Sequence, residues 1–370
     1  MMRIAIDLLW VKHKKVGGIE SYVRNLLTGF MALSDDYSFI LLLSKDNRDS
    51  FIEFTHDKRI TYKVCPVIST RLLPTVIWEN LKMDRMITEL KVDFCFVPYY
   101  RCPVLPVKNK YLIVVHDLNA LHFPEYFSKP KYYWLKYYWR YSLCNAHKVV
   151  AISKFVKDDI VDKYRTNENK LVVIHNPITS DYPLIDFGVL KERFGISEKN
   201  YLYTVSSTHK HKNLITLLMM MKEMKSQDSS CPKLLISGIC VGATNELVNY
   251  ISENNLQDVC IMTGFIPDEE RNTLMKNAKV FLFSSVFEGF GMPTIEALRL
   301  GTNVITTSCA SLPEVTQGKA VYVDNPFDVH EWILKIQSIH KYSINPIKFE
   351  EYNSEIVARQ YYALFRELCL

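Results

Sequence analysis

No cysteine pair in this chain has the Cys-x-x-Cys spacing of a zinc or redox motif, and the nine cysteines are scattered and odd in number. That argues against a disulfide frame and for buried thiols in a reducing compartment. No apolar run approaches the roughly 18–20 residues that a membrane-spanning helix needs. The opening "MMRIAIDLLWV" is broken by Asp7 and lacks a small-residue cleavage site, so it reads as a first strand and not a signal peptide. Internal repeats, low-complexity tracts and long charge runs are missing too. With a net charge of +5 and a pI near 8.5, the chain permits an anionic ligand or membrane surface but lacks the dense basic footprint of nucleic-acid binding. The expectation is a cytoplasmic protein, peripheral at most to the inner face of the cell membrane.

What is present is the composition of a folded globular protein, 48% hydrophobic and 23% charged. Its 370 residues exceed what one core usually supports, so two domains are expected. Short runs rich in Ile, Val, Leu and Phe alternate with longer amphipathic stretches, the pattern of βα units on parallel sheets. In the first half these runs are "RIAIDLLW", "YSFILLL", "ITYKVCPV", "DFCFVPYY", "YLIVVHDL", "KVVAIS" and "LVVIHN". A second series follows: "NYLYTVSS", "KLLISGIC", "VCIMTGFI", "KVFLFSS", "NVITTS" and "AVYVDN". Between them "NPITSDYPLIDF" breaks both periodicities with Pro177 and Pro183. The expected domains are 1–180 and 181–345, followed by an amphipathic helix within 346–370 that packs back on the domains. Two doubly wound α/β domains facing each other would leave a ligand cleft at the C-terminal ends of their strands.

The stretch "FEGFGMPTIEAL" sets Glu288 and Glu296 around a Gly-Phe-Gly turn between an expected strand and helix. Pro293 suits the first helical turn, and Gly289 and Gly291 suit close backbone approach and positive φ. Glu296 is expected in the first turn. A helix start attracts anions, whereas carboxylates attract hydroxyls. The blander reading has Glu296 complementing the helix dipole and Glu288 simply solvated. "GFGMPT" imitates a dinucleotide fingerprint, but Thr294 replaces the third glycine and no acid stands about 20 residues on.

With its flanks, "SSVFEGFGMPTIEALRLGTNVITTSCASLPEV" resembles the C-terminal signature of family 4 glycosyltransferases, retaining enzymes of the GT-B fold, two Rossmann-like domains facing across a cleft. The glutamates match that family's E-x7-E element, and the likeness extends back through "VSSTHKHKNLITLL". The resemblance implies that Glu296 binds the nucleotide ribose, that Glu288 contacts hydroxyls of the transferred sugar, and that amides around Gly289, Phe290, Gly291 and Met292 hold the diphosphate. It makes 1–180 the acceptor-binding domain and 181–345 the nucleotide-sugar domain. It also implies that Lys212 meets the diphosphate, whose charge grows on the leaving group in the transition state; the alternative is a solvated basic helix start. Where many members carry Gly-Arg, this chain has Ser206-Ser207-Thr208, leaving Lys210 or His211 as candidate second cations. Glu314 matches a common family position read as structural.

Gly17 and Gly18 precede the first expected helix, which is either a plain tight turn or, as the family resemblance implies, a site closing over the donor. His116 and Asp117 end the strand run "YLIVVHDL". The resemblance puts His116 near the transferred sugar, while Asp117 has the simpler role of capping the next turn. No Asp-x-Asp occurs, and metal-dependent transferases of the other major fold use such a pair, so a metal-independent site without cofactor is expected. The basic, aromatic stretch "KPKYYWLKYYWRYSL" (129–143) places Lys129, Lys136 and Arg140 on one face, fitting a core helix or a membrane interface.

The implied activity is retaining transfer of a hexose from a GDP- or UDP-sugar to a glycan or lipid-linked acceptor in surface polysaccharide synthesis. The "KNL" segment is similar to that of mannosyltransferases, so mannose leads. The alternatives are a nucleotide-sugar epimerase of the same fold and a non-catalytic, membrane-associated partner subunit.

Overall fold

The structure is a computed structural model that describes residues 2–12, 17–34, 36–179, 181–339 and 344–369. Residues 13–16, just ahead of the glycine pair, and Ser180, at the expected boundary, lie outside them. The chain divides into two compact units: the first combines residues 1–179 with 350–370, and the second is 180–349.

The first unit holds seven strands: β1 (Met2–Asp7), β2 (Tyr37–Leu43), β3 (Ile60–Val64), β4 (Phe94–Val97), β5 (Tyr111–Val115), β6 (Lys148–Ala151) and β7 (Leu171–Val173). They pair in parallel in the order β3-β2-β1-β4-β5-β6-β7. The second unit holds β8 (Tyr201–Val205), β9 (Lys233–Ser237), β10 (Cys260–Gly264), β11 (Val280–Phe283), β12 (Val304–Thr307) and β13 (Val321–Val323). Their order, β10-β9-β8-β11-β12-β13, repeats the pattern, again all parallel. Each strand falls on one of the apolar runs. The runs are continuous where helices cover both sheet faces, and every residue of Tyr111–Val115 is buried.

In both units the strand order reverses at one place, between β1 and β4 and between β8 and β11. Doubly wound sheets bind ligands beyond the strand ends at such a switch point. The second core gathers Leu202, Leu217, Leu282 and Ile305 with the fully buried Trp332. In the first unit, helix α1 (Gly18–Ala32) packs along the C-terminal helix Ser354–Cys369 through Phe30, Tyr361, Tyr362 and Phe365. Cys65, Cys95, Cys102 and Cys260 are buried as expected, but Cys144, Cys240 and Cys369 are exposed, so buried thiols describe only part of the set. Among the described residues no helix is long and apolar enough to cross a membrane.

Candidate active site

In the second unit the predicted residues cluster on the two loops that leave the switch-point strands. The loop after β8 forms a short turn at Lys210–Lys212, and Asn213 ends it with a left-handed backbone, φ +53°. Asparagine tolerates that conformation better than most side chains. Its amide also donates to the Pro326 carbonyl at 2.8 Å, fixing the turn. The loop after β11 is stapled to this turn. Ser284 Oγ donates to the Lys212 carbonyl at 2.8 Å, and Val286 N–H donates to the His211 carbonyl at 2.9 Å. Lys212 Nζ thereby reaches Glu288 Oε1 at 2.6 Å, with side chains only 17% and 13% exposed. Two residues far apart in sequence form one ion pair, and its low exposure protects it from solvent screening.

The helix Met292–Arg299 begins just past the glycine turn. Gly291 has a left-handed backbone, φ +89°, and an added Cβ would lie 2.6 Å from Leu312. Gly291 offers no side-chain cap, so the helix start is built from backbone alone. Phe290, between Gly289 and Gly291, is buried at 3% exposure, and Met292 opens the helix. Glu314 lies in the short helix Leu312–Thr316 packed behind Gly291.

Glu296 corrects the sequence expectation. It is the fifth residue of a helix that starts at Met292, past the first turn, so complementing the helix dipole is not its role. Its carboxylate is buried and lies 3.8 Å from Arg271 Nη2. Burial raises its pKa, while Arg271 and Arg299 pull it back down. Buried polar atoms without partners surround it: Arg271 Nε, Arg299 Nη1 and Tyr182 Oη. Nothing in the sequence singled out Arg271, because its motif context is that of an ordinary amphipathic helix.

The family-departing segment also has an account. Thr208 is buried, and its hydroxyl accepts from Val241 N–H at 2.6 Å, tying β8 to the loop after β9. His211 is pushed down to about 3 by burial, then by Lys212 and His209, so it is neutral near pH 7 and supplies no second cation. Lys210 is exposed and faces Glu246 at 3.7 Å.

The first unit carries its own cavity, about 640 Å3, at its switch point. Trp10 and Gly17–Gly18 follow β1, Tyr99 and Arg101 follow β4, and His116 follows β5. Gly17 is extended, at φ −136°, and a Cβ on either glycine would meet nothing within 4 Å. Neither backbone conformation nor crowding requires glycine here; what the pair does is leave the cavity wall bare. Burial pushes His116 down to about 4, so its ring is neutral. Its Nε2–H donates to the Pro98 carbonyl at 3.0 Å, which leaves Nδ1 as an acceptor. Asp117 accepts from Asn119 N–H at 3.0 Å, its expected capping role.

Beneath the cavity lies a group the sequence did not reveal. Arg101 pairs with Glu79 at 2.8 Å, both nearly fully buried, with Asp7 in electrostatic reach. Two carboxylates share one guanidinium, so burial pushes Glu79 up to about 8 and Asp7 to about 6. The one available signal was Asp7, interrupting an otherwise apolar strand.

Two family models match the chain in succession, "Glycosyltransferase Family 4" over residues 16–182 and "Glycosyl transferases group 1" over residues 187–355. The chain belongs to glycosyltransferase family 4. Among similar curated proteins is the O-antigen chain mannosyltransferase RfbU of Salmonella typhimurium, 27% identical over 67% of this chain and 66% of that one. O-antigen chain mannosyltransferase B of Escherichia coli is 26% identical over 58% of this chain and 57% of its own length. The chain thus spans somewhat less than two thirds of these curated relatives. Its fold is GT-B. Sucrose-phosphate synthase from Thermosynechococcus elongatus superposes with a TM-score of 0.76 at 17% identity, covering 100% of this chain and 99% of that one. Anabaena HepE, solved with UDP and glucose, gives 0.73 at 16% identity over 99% and 100%.

Proposed function

We propose that this protein is a retaining hexosyltransferase that moves mannose from GDP-mannose to a hydroxyl of a lipid-linked glycan, in the cytoplasm, during surface polysaccharide synthesis. The observation that carries the proposal is the Lys212–Glu288 pair at 2.6 Å beside an uncapped helix start. An arriving diphosphate takes up the remaining donors of the Lys212 ammonium, which goes on aiming Glu288, and the second oxygen of the Glu288 carboxylate accepts hydroxyls of the attached sugar. Amides of Gly289–Met292 take the phosphate oxygens and Glu296 takes the ribose. The ammonium and the helix start stabilise the leaving diphosphate, the task a divalent ion performs elsewhere. His116, neutral, accepts from a sugar hydroxyl through Nδ1, and Gly17 and Gly18 admit the donor. The acceptor hydroxyl attacks the anomeric carbon from the face the diphosphate leaves, its proton passing to a phosphate oxygen. The mannosyltransferase names of RfbU and its relative favour mannose. HepE, solved with UDP-glucose, keeps a UDP-sugar as the second reading. The basic, aromatic helix Lys129–Asn145 rests on the membrane.

The test is a thermal-shift series with GDP, UDP and their sugars, followed by transfer assays. A concentration-dependent rise with GDP-mannose is expected. Glu288→Ala and Lys212→Ala should each cut turnover by at least about a hundredfold, the scale of one lost transition-state group. Unchanged turnover in both variants would remove the assignment.

A further inference from the structure

Helix α2 (Leu72–Trp78) continues through a wide turn at Glu79–Met83 into Asp84–Glu89. Its inner face is buried through Val76, Glu79, Met83 and Ile87. Its outer face leaves three large aliphatic side chains in water at helical spacing: Leu73 at 68% exposure, Ile77 at 50% and Leu81 at 60%. One exposed leucine needs no explanation; an aligned strip does.

We propose that this strip is a bilayer-docking surface that inserts among anionic lipid headgroups and brings a lipid-linked acceptor to the adjoining cavity. The delivery rests on the transferase reading above; the docking does not. Charge selects the occupant. Arg71 and Lys82 are exposed around the strip, and Arg85, also exposed, pairs with the exposed Glu89 at 2.8 Å. The neighbouring helix Lys129–Asn145 adds Lys129, Lys131, Lys136 and Arg140, and no acidic residue occurs between Glu125 and Asp158. That helix also exposes Tyr133, Tyr137 and Tyr141 at four-residue spacing, amphipathic rings suited to a headgroup layer. The two elements are joined, with Asn80 Nδ2 donating to Tyr138 Oη at 3.1 Å.

The strip is also continuous with the cavity. Leu72, next to it and 51% exposed, lines the same cavity wall as Lys131 and Trp134. A headgroup sugar can enter among Trp10, Tyr99 and Trp134 while its lipid chain stays over Leu72. A protein partner fits less well. Three partly exposed side chains fall far short of the roughly 800 Å2 per partner that a stable protein interface buries.

Co-flotation with vesicles tests this, using phosphatidylethanolamine with 30% phosphatidylglycerol against pure phosphatidylcholine. The wild-type chain is expected on the anionic vesicles. Leu73→Gln/Ile77→Gln/Leu81→Gln should reduce the floated fraction at least about tenfold, while the thermal shift given by GDP or UDP stays unchanged. Lys129→Gln/Lys136→Gln/Arg140→Gln should lose mainly the salt-sensitive part of binding. Flotation of the aliphatic triple at the wild-type level overturns the proposal. So does a wild-type dimer that this triple converts to monomer, which would assign the strip to a second copy. If flotation behaves as expected but no nucleotide raises the melting temperature, docking stands and the transferase reading fails.

Discussion

Lys212 and Glu288 hold each other at 2.6 Å, and that fixes how their loss should combine. If the ammonium is gone, the carboxylate loses the partner that aims it, and the reverse holds equally. Side chains in direct contact give non-additive effects. The Lys212→Ala/Glu288→Ala double variant should therefore lose little more turnover than the worse single variant, rather than the product of the two losses. A double-mutant cycle in kcat/KM measures this, and full additivity would mean the two act on separate parts of the substrate without mutual support. Asn213 enters the same argument, since its left-handed backbone aims the lysine that precedes it.

At the scale of elements, two contacts have measurable consequences. Helix α1 approaches the C-terminal helix so closely that a Cβ on Gly29 would lie 2.1 Å from the Ser354 carbonyl oxygen. Backbone cannot yield there as a side chain can, so Gly29→Ala should destabilise the chain by about 2 kcal/mol. A thermal melt would then show a fall of roughly 4–8 °C. The second contact joins β1, the turn at Glu79–Met83 and the segment after β4. Glu79 is raised to about 8, so the native state keeps a proton that the unfolded chain has already released. That contribution is fully present below the ordinary carboxylate range and is lost as pH rises through about 8. His116 and His211, lowered to about 4 and 3, titrate below this window and act with the opposite sign. Melting temperature should therefore fall between pH 6.5 and 8.5. Glu79→Gln, which leaves Asp7 and Arg101 as a balanced pair, should flatten that slope; an unchanged slope in the variant would remove Glu79 as its cause.

These elements also mark where sequence reasoning stopped. Runs such as "YLIVV" are legible as strands because burial on both faces removes polar alternation. Glu288 with its glycine turn, and Lys212 separately, stand out because each sits in a short motif that resembles a family pattern; that the two pair across 76 residues is visible only in the fold. The turn holding Glu296 was misplaced, since the helix start depends on the fit of Gly291 against Leu312, a contact between separate segments. Asp7, Glu79 and Arg101 meet only through tertiary folding, and no local period announces them. "LLPTVIW" shows apolar character without saying which side chains face water.

The whole molecule consists of two units, each with its own parallel sheet and core. A chain of this kind need not unfold in one step, and ligand linkage then distinguishes its parts. The ion pair, the helix start and Glu296 all belong to the second unit, so on the proposed function free GDP, which carries diphosphate and ribose but no transferable hexose, should engage mainly that unit. At about a hundred times its dissociation constant a ligand stabilises what it binds by roughly 2.7 kcal/mol. Calorimetry of the intact chain should resolve two transitions, with GDP raising one. Hydrogen exchange should place the added protection on 209–213 and 284–296. Equal protection of the segment after β1, with both transitions rising together, would instead mean that the nucleotide is held as strongly by the Gly17–Gly18 end, and the division of labour argued from Lys212 and Glu288 would fail.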